Sequence, residues 1–300
     1  MLMTALGKFI AKGRSQAILV ISTSGLLAFV LFPIAPLLLL LSCAALVLVA
    51  LRNNAQFALT VFAISLAVSG GIPWLFGLEL LGLGPAAMWL MVLLSAQAFR
   101  RSGNLALAIF AALVIVVLAV LLFIVWVRNP VQWWQPWIVK FIELAKMGSV
   151  TTQQVHLMAK LLTGAFAATS LIVIVASLLV GVWWQSRLQN SGQFRRDFQQ
   201  LRLGKVLSIV AALLLATAIF TDSALFIALS APTLVVYMFQ GLAVIHAFAG
   251  QQAGSSWWLI TFYIFLILFR QLVILVSLMG IVDAWLDSRR RWLKHKPGQY

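Results

Sequence analysis

Charged side chains within apolar stretches are the first candidates for chemistry in this sequence. Two of its six acids, Asp222 and Asp283, lie within or at the edge of apolar runs, and Arg270 stands well inside one. A charge at membrane depth costs several kcal/mol, so such a group usually faces the interior of a helix bundle or water. These residues predict either a polar site that binds an anionic group or relays force, or a structural bond between helices.

The partner of Arg270 is expected on another helix. Asp283 is thirteen residues away, which is about 20 Å along a helix. Asp222 is the acidic candidate, and Gln240 and His246 are neutral alternatives. A lone histidine in an apolar helix is more often a structural hydrogen-bonding group than a proton carrier, despite its suitable pKa. Arg270 can also be a snorkelling residue if the span is broken there.

The last apolar run ends in acids followed by bases. Asp283, Asp287 and Arg291 are four residues apart and share one helix face. Carboxylates are unfavourable near the negative C-terminal end of a helix, so Asp283 needs a partner. Arg202 or Lys205 can supply it. We therefore expect either a latch between the last helix and the basic segment that holds these cations, or a simple helix-end anchor.

No pattern of catalysis or metal binding occurs in the sequence. Nucleotide-binding loops, the G-x-S-x-G motif and the H-E-x-x-H motif are absent. The chain has one cysteine, Cys43, and no Cys/His cluster with metal-ligand spacing. We expect a protein that is not an enzyme and has no catalytic, cofactor or metal site.

Composition places the chain in a lipid bilayer. Hydrophobic residues make up 63% of the chain and charged residues 9%, whereas soluble domains have about 25% charged residues. The net charge of +15 comes from basic residues in short stretches between apolar runs, as the positive-inside rule produces. We therefore expect the bilayer and not nucleic acid as partner, and binding of anionic headgroups is compatible with this pattern.

The spacing of apolar runs predicts an all-α polytopic helical bundle in one membrane domain, residues 1–300, with about eight or nine spans. The basic N-terminus precedes a long apolar run, which indicates an uncleaved first span. The expected spans are 16–33, 36–51, 56–76, 85–99, 104–127, 157–185, two within 206–248, and 257–283.

Two segments between the spans differ from ordinary loops. Residues 131–147 carry tryptophans at helical spacing and predict an amphipathic helix at the membrane interface, or alternatively a lid over a cavity. Thr151 and Gln154 fit a capping box that opens the next helix. Residues 187–205 hold five cations and one acid and predict the main cytoplasmic loop.

Charge also predicts orientation, with one conflict. A cytoplasmic N-terminus puts Arg52, Arg100 and the 187–205 loop on the cytoplasmic side. Nine full spans would then place the basic C-terminal tail outside. A re-entrant segment between 221 and 248 resolves this conflict, and we expect a cytoplasmic C-terminus.

Three motifs together carry a family resemblance: "FRRDFQQLRLGK", "FQGLAVIH" and "LMGIVDAWLDSRRR". The chain resembles the YybS-like family of bacterial multi-pass membrane proteins of unknown function. The residues that match the family pattern are Gln240–Gly241–Leu242 and Gly280, Asp283, Asp287 and Arg289. The resemblance implies a protein of the bacterial inner membrane.

Two functions remain open from the sequence. Helices interrupted by Gly and Pro, at 70–85 and 221–232, and intramembrane polar residues favour small-molecule binding or transport. The basic loop and tail favour a non-catalytic scaffold or assembly factor that holds a protein partner.

Overall fold

The computed structural model describes residues 2–31, 34–75, 79–146, 148, 150–250, 255–269 and 271–286. These residues form helices and connecting segments, and no strand occurs among them. The predicted all-α class is therefore confirmed. The thirteen helices in this part of the chain are α1 (Leu2–Ile10), α2 (Arg14–Val30), α3 (Ala35–Arg52), α4 (Ala55–Leu75), α5 (Glu79–Ser102), α6 (Leu105–Val127), α7 (Pro130–Leu144), α8 (Thr152–Leu188), α9 (Gln193–Gln199), α10 (Lys205–Thr221), α11 (Ala224–Ala249), α12 (Ser255–Leu268) and α13 (Gln271–Leu286).

Five helices of the described chain are long and apolar enough to cross a membrane, namely α3, α4, α6, α8 and α11. The pair α12 and α13, bent by 118° at its break, adds a sixth if it is counted as one span. The expected count of eight or nine is not reached because helices such as α2 and α10 have 17 residues each, fewer than the usual 20 or so. Five candidate spans are consistent with a membrane protein.

The last apolar run departs from its expected form. Residues 257–283 were expected to be one span, but the helix ends at Leu268 and a new one begins at Gln271. The expected re-entrant segment between 221 and 248 is not present, because α11 is continuous from Ala224 to Ala249 and includes Pro232. The sharp bend lies instead between α12 and α13.

Local sequence explains where several helices begin. The side chains of Asn54, Asn104 and Asn129 accept hydrogen bonds from the backbone N–H groups at the start of α4, α6 and α7. These bonds satisfy donors that have no partner within the helix. At α8, the Thr151 hydroxyl accepts from the Gln154 N–H while the Gln154 side chain accepts from the Thr151 N–H. The predicted capping box is confirmed.

The chain forms two compact units. Unit 1 comprises residues 1–112 and 170–198, and unit 2 comprises residues 113–169 and 199–300. The division passes through α6, α8 and the end of α9. Whether the chain acts as a single membrane domain stays a prediction.

Unit 1 is held together by close packing around buried polar contacts. The Ser42 hydroxyl accepts from Trp89 Nε1 at 2.9 Å and donates to the Ile21 carbonyl at 2.8 Å. All of these side chains are fully buried. Gly181 faces Val47 so closely that a Cβ atom there would overlap its side chain. Small residues therefore let helices of unit 1 approach closely.

Unit 2 contains the tryptophan-rich helix. Trp134 of α7 stacks on Phe166 of α8, with ring centroids 5.0 Å apart, and its Nε1 donates to Thr163 Oγ1 at 2.9 Å. Ile138 packs with Val155. The predicted helix at 131–147 is therefore present as α7, but one side of it packs on α8, while Trp137, 56% exposed, lies outside that contact.

Candidate functional site

The site forms around Gln240 on α11, whose side chain is fully buried. Gln240 Nε2 donates to Asp283 Oδ2 of α13 at 3.1 Å. Gln240 Oε1 accepts from the backbone N–H of Leu203 at 3.0 Å. One amide side chain thus joins α13 to the segment that precedes α10. We call Leu203, Gln240 and Asp283 the polar node.

Two glycines bring α11 and α13 into backbone contact at the node. A Cβ atom on Gly280 would lie 2.9 Å from the Gly241 nitrogen and would overlap the carbonyl oxygen of Tyr237. A Cβ atom on Gly241 would in turn overlap the carbonyl oxygen of Val276. Close approach of this kind requires residues without a side chain. The close approach also explains how the Gln240 side chain on α11 reaches Asp283 on α13.

The segment before α10 is fixed along α11 by further hydrogen bonds. We call Gln199–Gly204 the strap. Gln199 Nε2 donates to the carbonyl oxygen of His246 at 3.0 Å, and Tyr237 Oη donates to the carbonyl oxygen of Gly204 at 3.4 Å. Leu201, which lies between these residues in the strap, is 2% exposed. Together with the Leu203 bond, these hydrogen bonds hold the two ends of the strap on α11.

Asp283 is well suited to the role of a buried acceptor. It is 5% exposed, and a buried carboxylate is tolerated only when hydrogen bonds or charges compensate its lost hydration. The Gln240 amide supplies such a bond. Gln240 thus connects Asp283 of the last helix to Leu203 of the basic segment. A direct ion pair of Asp283 with Arg202 or Lys205 stays a prediction.

His246 has a structural contact that fits the expectation for a lone histidine. Its Nε2 lies 2.8 Å from Tyr263 Oη of α12, and the two rings are 5.9 Å apart. Its backbone carbonyl also accepts the hydrogen bond from Gln199, so His246 connects α11 to both the strap and α12.

Asp222 lies at the edge of its apolar run, between two helices. It ends α10 in a left-handed conformation with φ 50°, and its side chain is 81% exposed and pairs with Lys160 of α8. It therefore lies at the exposed turn between α10 and α11 and not in a bundle interior. Lys160, within the apolar run of α8, is the cation that sequence reasoning missed.

Three of the predicted site residues, Arg270, Asp287 and Arg289, lie outside the described residues. The proposed partner of Arg270 is therefore untested. Among the described residues, no group of three His, Cys, Asp or Glu side chains lies close enough together to hold a metal ion.

Comparisons of the chain with protein-family models, with curated proteins and with solved structures found no match.

Sequence reasoning found three of the side chains at or beside the node, Gln240, His246 and Asp283, but missed the strap contacts. Tyr237 and Gln199 donate to carbonyl groups, and backbone acceptors leave no signal in the sequence. The spacing from Tyr237 to Gln240 and Gly241 is one helical turn, which could have indicated a common face.

The basic segment 187–205 contains a short helix, α9, and the exposed cations Arg195, Arg196 and Arg202. Its one acid, Asp197, has a pKa raised by partial burial, while the neighbouring Arg196 opposes this shift. The segment keeps an excess of positive charge whichever form Asp197 takes.

Proposed function

We propose that this protein is a non-catalytic integral membrane scaffold that holds an acidic partner on a basic surface beside α11. The observation that carries the proposal is the position of Gln240, which joins the strap to the last turn of α13. The strap carries Arg202 and leads into Lys205, and both are exposed. The basic tail follows α13 directly in the sequence.

Charge complementarity indicates the kind of partner. In the sequence, Arg289, Arg290, Arg291, Lys294 and Lys296 follow within ten residues of the end of α13. Arg202 and Lys205 give the strap and its end a basic surface, and the sequence that follows α13 carries the same sign of charge. Such a surface favours a protein with an acidic face, because complementary charges raise the association rate and disfavour wrong partners.

Fixing the strap is the second reason to favour docking. A flexible loop loses conformational freedom when it binds, and this loss weakens the complex. Three hydrogen bonds to α11 remove much of this cost before the partner arrives. A scaffold benefits from that order, whereas a simple topology signal does not need it.

The proposed topology follows from the same contacts. Asp283 is one side chain away from the strap, and Leu286 is less than one turn further on. We therefore propose that the tail and the strap are on the same side of the membrane. We propose that α2, α5 and α10 cross the membrane together with the five candidate spans, which makes eight crossings. We propose that α12 and α13 form a re-entrant pair, which enters and leaves on the same side and adds no crossing. An even number of crossings then puts both termini in the cytoplasm. This is the arrangement we propose for a bacterial inner-membrane protein that resembles the YybS-like family.

Small-molecule binding or transport is the second candidate. The 118° break between α12 and α13 favours it, since broken helices at membrane depth often line substrate sites. Arg270 lies at this break in the sequence. A small anion that raises the melting temperature of the purified protein, but not of the Arg270→Gln variant, would favour transport over docking.

Docking is tested by photocrosslinking in cells. A photoreactive residue at Gln200, which is exposed on the strap, is expected to give a discrete adduct with an acidic protein. The double variant Arg202→Gln/Lys205→Gln should lose the adduct. The matched control, Lys140→Gln/Lys146→Gln, removes two exposed cations near α7 and should keep it. An adduct that survives loss of the strap cations, or the absence of any adduct, counts against the scaffold.

A further inference from the structure

A cavity of about 210 Å³ lies in unit 1, where the end of α1, the start of α2, the end of α3 and the start of α4 meet. Its apolar lining includes Ile10, Leu48 and Val49, which are buried. Lys12 and Arg52 also line it, and both are exposed. An apolar floor with two cations at its edge is suited to a ligand that carries a compact negative group.

The cations at this cavity form no ion pair with a carboxylate in the part of the chain that the structure describes. The first acid in the sequence is Glu79, so the 78 residues before it have only basic charges. Among the described residues, no carboxylate pairs with Lys12 or Arg52. The cavity therefore has an uncompensated positive charge, which an anion would balance.

Neighbouring groups strengthen this positive field. Arg14 lies over the ring of Phe57, a lining residue, at 4.7 Å from the ring centroid. Arg100 Nη1 donates to the carbonyl oxygen of Asn53 at 2.8 Å and to that of Ala50 at 3.3 Å. Carbonyl groups at a helix C-terminus are otherwise negative and would repel an anion. Arg100 neutralises them at the end of α3.

The wall formed by α1 is fixed in place. Trp184 Nε1 donates to the carbonyl oxygen of Met3 at 2.7 Å, and a Cβ atom on Gly7 would lie 3.0 Å from the Trp184 ring. Because α1 is anchored on α8, the segment Ile10–Gly13 does not have to be ordered when a ligand binds. Such preorganisation reduces the cost of binding.

We propose that this cavity binds a phosphate group between Lys12 and Arg52. Arginine matches phosphate oxygens in a forked arrangement, and lysine adds a point charge. The cavity is smaller than the roughly 300–1,000 Å³ of pockets for drug-sized ligands, which suits one phosphate and its nearest substituent. The phosphate belongs either to the headgroup of an anionic phospholipid or to a free phosphate ester. This site is independent of the docking proposed above, because its residues all lie in unit 1.

Native mass spectrometry of the detergent-purified protein tests the lipid source. The protein is offered equal amounts of phosphatidylglycerol and phosphatidylcholine with the same acyl chains at about 0.15 M salt, where distant charges are screened. We expect preferential retention of phosphatidylglycerol. Lys12→Gln or Arg52→Gln should each reduce it at least about tenfold, the usual effect of losing a hydrogen bond to a charged group.

Arg195→Gln is the matched control, since it removes an exposed cation of unit 1 that does not line the cavity. Its lipid retention should stay within about twofold of that of the parent protein, because at this salt concentration a charge away from the cavity is screened. A second arm compares the melting temperature in inorganic phosphate and in chloride at equal ionic strength. A rise that depends on Lys12 and Arg52 indicates a free phosphate group as the ligand.

Either response supports the site when it is lost in Lys12→Gln and Arg52→Gln and kept in Arg195→Gln. Equal loss in all three variants would show general attraction between charges and overturn the proposal. No response to either probe would overturn it as well. Because the two lining cations are exposed, each variant is expected to keep the melting temperature of the parent protein in phosphate-free buffer.

Discussion

Replacing Gly280 by alanine is a sharp test of the contact between α11 and α13. The new Cβ atom would lie 2.9 Å from the Gly241 nitrogen and would overlap the carbonyl oxygen of Tyr237. Both neighbours are backbone atoms of α11, so no side-chain rotation can relieve the overlap. The two helices must therefore move apart.

The cost has two parts. Overpacking of a tight contact typically costs about 1–3 kcal/mol. The separation also stretches the 3.1 Å bond between Gln240 and Asp283, and polar bonds between membrane helices contribute on average about 0.6 and at most about 1.7 kcal/mol. We expect Gly280→Ala to lower the free energy of unfolding by about 2–5 kcal/mol, the sum of these two ranges.

Unfolding in SDS, followed by circular dichroism, measures this change. Gly71→Ala in α4 is the matched control, because no atom lies within 4 Å of its added Cβ. Alanine in a helix interior is favoured over glycine by about 0.5–1 kcal/mol, so the control should be neutral or slightly more stable. If Gly280→Ala behaved like Gly71→Ala, the close crossing of α11 and α13 would be refuted.

Three further predictions concern other buried contacts. Ser42→Ala should lower the free energy of unfolding by about 1–3 kcal/mol, since it leaves the buried N–H of Trp89 without its acceptor. The control Ser65→Ala should be neutral or stabilising, because the Ser65 hydroxyl is buried without a partner. Similar losses of stability in both variants would contradict the prediction. Trp134→Phe should lower the free energy of unfolding by about 1 kcal/mol, because it loses the hydrogen bond to Thr163. In the same SDS titration, Trp137→Phe should change stability little. A Trp134→Phe variant as stable as the parent protein would argue against the packing of α7 on α8. The native thiol of Cys43 is fully buried, so a maleimide should react with it only as the protein unfolds. Rapid labelling of the folded protein would contradict the buried position of Cys43 on α3.

Local features of the fold were the most predictable from sequence. The capping box of Thr151 and Gln154 depends on residues three apart, and it is formed as expected. The separation of α2 from α3 and the break at Asp222 followed in the same way from short stretches of polar or proline residues. Such signals do not depend on how distant helices pack.

The number of spans was harder to predict because it depends on helix length and direction. An apolar run of 27 residues at 257–283 has the composition of one span, yet it contains a sharp bend. Composition does not reveal the angle between two helices. That angle depends on tertiary packing, here including the contact of α13 with α11.

At the candidate site, the sequence indicated which polar residues matter but not all of their partners. Gln240, Gly241 and Asp283 were singled out, yet the bond from Leu203 uses a backbone N–H that any residue could supply. Asp222 pairs with Lys160, which is 62 residues away and on a different helix. Contacts of this range follow from the fold and not from spacing along the chain.

The side of the membrane on which the tail lies tests the central claim most directly, since Gln240 ties the strap to the end of α13. In a Cys43→Ala background, single cysteines at Gln200 in the strap and at Gln299 in the tail are treated with a membrane-impermeant maleimide. We predict that both positions are labelled in inside-out vesicles and that both are protected in intact cells. Labelling of the two positions from opposite sides would contradict the link through Gln240.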